Sequence, residues 1–145
     1  MHYWDTSAIL KLYVPEHDSA YFLDLLVRAG QPVFSSAIAA AEVLCALYRK
    51  ERAEDLGPGG ARALSRRFRT DCKAGRVLLA PCGGDVMEEA GRLVKLAFQQ
   101  RPPIMIRSLD LIHLASASVA KATALVASDK RLRSLGSLLE LPLLP

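Results

Sequence analysis

Short apolar runs alternate along this chain with segments of helical periodicity, and that alternation narrows the fold more than any other feature. The runs are Met1 to Trp4, Val33-Phe34, Val77 to Ala80 and Ala124 to Ala127. None shows the in-out alternation of a half-solvated strand, so each needs apolar cover on both faces. Between them the spacing predicts helices over Thr6 to Val14, Ala20 to Arg28, Ala37 to about Ala53, Ala61 to Lys73, a stretch from Asp85 to about Gln100, and Leu109 to Lys121. Ser35-Ser36, Asp85 and Ser108 offer N-caps, Gly30 a stop, and Gly57-Pro58-Gly59-Gly60 the clearest break. Lys130 to Leu135 reads as a short helical turn and Leu138 to Leu141 as a last short strand. The expectation is a single α/β domain over residues 1–145. It is a sandwich with a short central parallel sheet of four or five strands, covered by helices on both faces.

The 145 residues suffice for one domain with a real core. No apolar run reaches the ~18 to 20 residues of a membrane span, and the N-terminus lacks the layout of a signal peptide. A soluble cytoplasmic protein is expected. Cys45, Cys72 and Cys82 are odd in number and lack C-x-x-C spacing, which argues against a disulfide framework and a zinc site. Cys45, inside an apolar helical pattern, is expected to be a core thiol.

Four acids stand in the wrong surroundings. Asp5 is the only acid among the first ten residues and ends the first apolar run. Glu42 is the only charge between Gln31 and Tyr48, flanked by alanines, Val43 and Leu44. Asp110 is alone between Ser108 and Ala120, and Asp129 closes the uncharged segment Ala122 to Ser128. Each has a local explanation: Asp5 as a helix cap, Asp110 as a favourable charge at a helix start, Asp129 as a turn residue. Glu42 has none. In an open parallel sheet, ligands bind beyond the carboxyl ends of the strands, where Asp5 and Asp129 both fall. Glu42 lies about six residues past its expected cap, ~9 Å along the helix, so its side chain can point back to that edge. Carboxylates gathered there raise one another's pKa unless a cation intervenes. Mg²⁺ or Mn²⁺, hard and oxygen-seeking, would resolve the conflict and support metal-assisted hydrolysis of a phosphate ester.

The pieces around these acids carry a resemblance. Tyr3-Trp4-Asp5-Thr6-Ser7-Ala8 with Lys11 to Glu16, Ala41-Glu42-Val43, Leu109 to Ala115, and Leu125 to Leu132 occur in family order across nearly the whole chain. Together they resemble the PIN-domain nucleases, and more closely the VapC-type ribonuclease toxins of toxin–antitoxin pairs. The resemblance implies a PIN fold and endonucleolytic cleavage of RNA. It implies Mg²⁺ or Mn²⁺ held by Asp5, Glu42, Asp110 and Asp129, which would also be the catalytic set, together with a VapB-like antitoxin partner and a homodimer. Ser7 matches a small polar position that would orient Asp5 or a metal-bound water. One departure is Ala127, where many members carry Thr or Ser. His113, a helical turn after Asp110, is read as structural.

The net charge of +4 would double if the four acids were set aside, leaving a basic body suited to a polyanion. Arg62, Arg66, Arg69 and Lys73 recur at helical spacing and form a candidate phosphate track, or else a solvated face. Lys11 and Lys130, close in sequence to the acids, are further candidate substrate contacts. The alternative to an endoribonuclease is a catalytically weak or inactive PIN-like module that binds RNA or protein. A phosphatase fits less well, because no D-x-D-x-T follows the first strand and no Gly-rich phosphate loop is present.

Overall fold

The computed structural model describes residues 1–145, the side chain of Ser137 excepted. Strands β1 (His2–Trp4), β2 (Val33–Ser36), β3 (Val77–Ala80), β4 (Ala124–Val126) and β5 (Leu143–Leu144) pair in parallel in the order β3-β2-β1-β4-β5. Helices α1 (Thr6–Leu10), α2 (Ser19–Ala29), α3 (Ile38–Arg52) and α4 (Gly60–Lys73) precede α5 (Gly84–Gln99), α6 (Ser108–Val119) and α7 (Lys130–Gly136).

The absence of alternation in the strands has its explanation in two separate cores. Adjacent strand residues point to opposite faces. Trp4 and Val126 enter a cluster with Ile9, Phe22, Val43, Leu47 and Phe68, which come from α1 to α4. Tyr3, Leu125 and Ala127 enter another with Leu93, Leu114, Leu132 and Leu135, which come from α5 to α7. Both faces are thus buried at the central strands β1 and β4, whereas the edge strand β3 exposes Leu78, so the cover expected for the Val77 to Ala80 run is incomplete.

The strand order positions the site. From β1 the chain proceeds outward through β2 to β3, then crosses back to lay β4 and β5 on the other side of β1. The order therefore reverses between β1 and β4, and a crevice opens beyond their carboxyl ends. Asp5 directly follows β1 there, and Asp129 lies three residues past the end of β4.

Several local expectations are corrected. The last strand is Leu143–Leu144 rather than 138–141; Ser137–Leu139 is a 3₁₀ turn and Glu140 has φ 53°. Pro142 cannot donate to a ladder, but its carbonyl accepts the Leu125 N–H at 2.8 Å, so pairing starts at that residue. The first α-helix stops at Leu10, and residues 11–13 wind on as turns with tighter bonds, such as Leu12 N–H to Ile9 O at 3.0 Å. Ser35 and Ser36 are buried in β2 and cap nothing. Ser108 is the first residue of α6, and Asp85 lies in the first turn of α5 with its carboxylate on the Val86 N–H. No helix among the described residues is long and apolar enough to cross a membrane.

Candidate active site

A cavity of about 670 Å³ opens at the crevice between β1 and β4. Asp5, Glu42, Asp110 and Asp129 all line it, so four acids from distant segments meet in one place. Thr6, Ser7, Cys45, His113, Arg49 and Arg107 line it as well.

Each acid reaches the cavity by a different local device. Asp5 caps α1: its Oδ1 accepts the Ala8 N–H at 2.9 Å and the Ser7 hydroxyl at 2.8 Å. The same Ser7 Oγ accepts the backbone N–H groups of Ser128, at 2.8 Å, and Asp129, at 2.9 Å. One hydroxyl thereby ties the end of β1 to the segment after β4. Asp129 starts α7 in turn, its Oδ1 accepting from Arg131 N–H at 2.7 Å and Leu132 N–H at 3.1 Å. Asp110 stands in the first turn of α6.

Glu42 projects from α3 and is held from two sides. Its Oε2 accepts the Thr6 hydroxyl at 2.5 Å and lies 2.6 Å from Nε2 of His113. His113 is buried, with its Nδ1 2.7 Å from the Tyr3 hydroxyl. The Tyr3 oxygen accepts the Ser36 N–H at 3.1 Å. A polar chain thus runs from the β2 backbone through β1 and α6 to the cavity.

The electrostatics follow from burial and crowding. Burial holds the Asp5 carboxyl above its usual range, against the pull of the Ala8 N–H and the Ser7 hydroxyl. Burial, and next the charge of Asp129, raise Asp110. Burial also pushes Glu42 upward, but the hydrogen bond and charge of His113, joined by the Thr6 hydroxyl and the charge of Arg49, leave the carboxyl below its ordinary value. The four acids, Thr6 and Ser7 offer carboxylate and hydroxyl oxygens, the chemistry of a hard divalent cation, beside the Cys45 thiol and the His113 ring. Among the described residues no three His, Cys, Asp or Glu side chains are already drawn together tightly enough to hold a metal ion. An open carboxylate ring of this kind fits a cation that keeps several of its waters, as Mg²⁺ does.

The basic candidates divide differently from the sequence expectation. Lys11 is not in the cavity lining; its ammonium lies 2.5 Å from Glu16 and 2.7 Å from Asp18, with its side chain only 10% exposed. Lys50 joins the same group through Glu16 at 2.8 Å. Lys130 is exposed at the start of α7, and Arg62, Arg66, Arg69 and Lys73 are exposed along α4, all outside the cavity lining. The arginines that do line it are Arg49 and Arg107, which the sequence reading passed over. The signal for Arg49 was available, because it lies seven residues after Glu42 on the same face of α3, whereas Arg107 precedes α6 in extended backbone and carries no such spacing signal. Cys45, three residues after Glu42, lies on that face too. It is exposed in the cavity wall instead of buried in the core. Ala127 is fully buried in the α5–α7 core and does not reach the cavity.

Solved structures of similar fold were found along the whole chain. FitAcB from Neisseria gonorrhoeae superposes with a TM-score of 0.71 at 20% identity, covering 100% of this chain and 97% of that one. VapBC2 from Rickettsia felis, bound to a DNA fragment from its promoter, superposes with a TM-score of 0.68 at 18% identity, covering 99% and 97%. No curated protein matches in sequence. The PIN domain family model matches residues 3–138, nearly the whole chain. The chain belongs to the PIN domain family.

Proposed function

We propose that this protein is a metal-dependent endoribonuclease that hydrolyses RNA phosphodiester bonds as the toxin of a VapBC-type toxin–antitoxin pair. The observation that carries the reading is the convergence of Asp5, Glu42, Asp110 and Asp129 on one cavity at the strand-order reversal. These four would hold Mg²⁺ or Mn²⁺, which supplies an activated water and neutralises charge gathering on the phosphate. Ser7 fixes one oxygen of Asp5 and the backbone that presents Asp129. Arg49 and Arg107 supply the positive charge in the cavity wall that a phosphate backbone needs. Lys130 and the α4 stripe of Arg62, Arg66, Arg69 and Lys73 are more distant contacts for a longer RNA. Lys11, engaged by two carboxylates, is not assigned a substrate role.

The fold-level likeness to FitAcB and VapBC2 supports an antitoxin partner, and a cytoplasmic homodimer completes the proposal. The competing reading is an RNA- or protein-binding module without catalysis, which the lack of a preassembled ligand trio among the described residues favours. The deciding experiment incubates a labelled RNA pool with antitoxin-free protein and Mn²⁺, then with EDTA. Cleavage that EDTA abolishes is expected. Intact RNA in both arms overturns the nuclease reading in favour of the module.

A further inference from the structure

Glu42 sits in the middle of an apolar helix, yet its side chain is fixed with unusual economy. Both of its hydrogen bonds, from Thr6 at 2.5 Å and His113 at 2.6 Å, end on Oε2, and Oε1 takes none. For Asp5 the bonds from Ser7 Oγ and Ala8 N–H, and for Asp129 those from Arg131 and Leu132 N–H, likewise end on Oδ1. A carboxylate held by one oxygen keeps its orientation and has its other oxygen free for a cation or water.

For Asp5 and Asp129 the donors are local: backbone N–H groups, with the Ser7 hydroxyl added for Asp5. For Glu42 they come from α1 and α6, and the donor on α6 is a ring with two inequivalent nitrogens. An ionised carboxylate only accepts, so Nε2 must carry the hydrogen. In the neutral ring Nδ1 is then an acceptor, and the Tyr3 hydroxyl is the donor it meets at 2.7 Å. Tyr3 is itself oriented, because one of its lone pairs already accepts the Ser36 N–H. His113 is only 3% exposed, and beside Glu42 its Nε2 has the Thr6 hydroxyl at 3.4 Å.

We infer that His113, with its tautomer set by Tyr3, is a positioning residue that holds one oxygen of Glu42 and turns the other toward the bound cation. The inference deepens the metal-dependent reading above and rests on it. Partners of this type, one bond behind a metal ligand, typically change metal affinity or activity by about 10- to 100-fold when removed.

The test uses the full chain, stripped of divalent ions, with Mn²⁺ alone as the probe and its free concentration read by electron paramagnetic resonance. His113→Leu should weaken Mn²⁺ binding by about tenfold or more, and His113→Gln, whose amide can donate from the Nε2 position, should recover to within about threefold of wild type. Tyr3→Phe should fall between them. In RNA cleavage the same series should lower kcat and leave KM unchanged, since no contact to substrate is removed. Nitrogen NMR of the ring in the metal-free wild type should show hydrogen on Nε2 and a bare Nδ1, which tests the arrangement even if the leucine variant fails to fold. A neutral ring with its hydrogen on Nδ1 overturns the inference, as does a glutamine variant no better than a folded leucine variant. Wild type that cleaves RNA with Mn²⁺ while the folded variants keep full affinity removes the positioning role alone. Mn²⁺ binding that depends on His113, with RNA left intact, removes the nuclease reading alone.

Discussion

Replacing Ser7 with alanine deletes one oxygen that makes three hydrogen bonds, one donated to Asp5 Oδ1 and two accepted from Ser128 and Asp129 N–H. A bond to a charged group contributes about 1.5–3 kcal/mol and a neutral one about 0.5–1.5 kcal/mol. Asp129 is exposed, so water replaces much of its bond, whereas Asp5 is 5% exposed and gains no substitute. The sum after that discount is about 2–4.5 kcal/mol, or ~6–14 °C in Tm for a domain of this size. The loss should depend on pH. Burial already holds Asp5 above its unfolded value, and removing a donor raises it further. A raised carboxyl weakens the folded state only where the unfolded chain would ionise, so its share of the loss grows above about pH 4 and vanishes below it. Thermal melts of metal-free protein at about pH 8 and about pH 4 should therefore show the larger drop at the higher pH. A Tm within about 1 °C of wild type at both would refute the account of Ser7 as the tie between β1 and β4.

Asp110→Asn should abolish RNA cleavage yet raise the metal-free Tm by about 1–3 °C near neutral pH, a gain of under ~1 kcal/mol for a partly solvated carboxyl. Because Asp110 is held above its ordinary value by burial and Asp129, that gain should disappear below about pH 4, and a fall in Tm at neutral pH would count against crowding. Lys11→Met should destabilise the protein by about 1–2 kcal/mol while leaving kcat/KM for RNA within about twofold. The Lys11 hydrogen bonds are the main reason Glu16 and Asp18 titrate low, so wild type loses stability as pH falls through their folded values. The variant should lose less in acid melts. Arg49→Ala and Arg107→Ala should each weaken RNA binding and reduce the slope of log K against log salt by about 0.7; an unchanged slope would show that neither meets a phosphate.

The layers of the fold were legible because their cause is local. Ala124 to Ala127 is apolar on both sides and wholly buried, and that property alone demands helices above and below, while the equally apolar Val77 to Ala80 lies at the sheet edge and leaves Leu78 exposed. The terminal strand was not legible. Leu138 to Leu141, interrupted by Glu140, and Leu143–Leu144 are both leucine-rich, and the choice between them depends on a long-range bond from Leu125 to the carbonyl of Pro142. In the site, the acids stood out because a charge in an apolar run is anomalous by itself. Arg49 did not stand out, since an arginine in the last turn of a helix is ordinary there, and Arg107 did not because it lies in the loop just before α6. Arg49 becomes visible only after Glu42 has identified which helix face lines the cavity. Lys11 misled for the opposite reason: nearness in sequence to Asp5 said nothing about the Glu16–Asp18 pair that folds back onto it.

His113 and the capping acids show why local and functional readings of a residue need not compete. Asp5 caps α1 and Asp129 starts α7, so the local explanations for both are correct. A carboxylate has two oxygens, however, and in each case the cap uses only one. The capping bonds end on Oδ1 and fix the carboxylate plane at the edge of the cavity. A helix beginning at the carboxyl end of a strand therefore provides both the anchor and the location for an acidic site. Glu42 is mid-helix and has no backbone donor to cap, so its anchor must be imported, and Thr6 with the buried Tyr3–His113 pair is that import. Where the backbone cannot hold a carboxylate by one oxygen, the core has to, and that need accounts for a polar chain in an otherwise apolar interior.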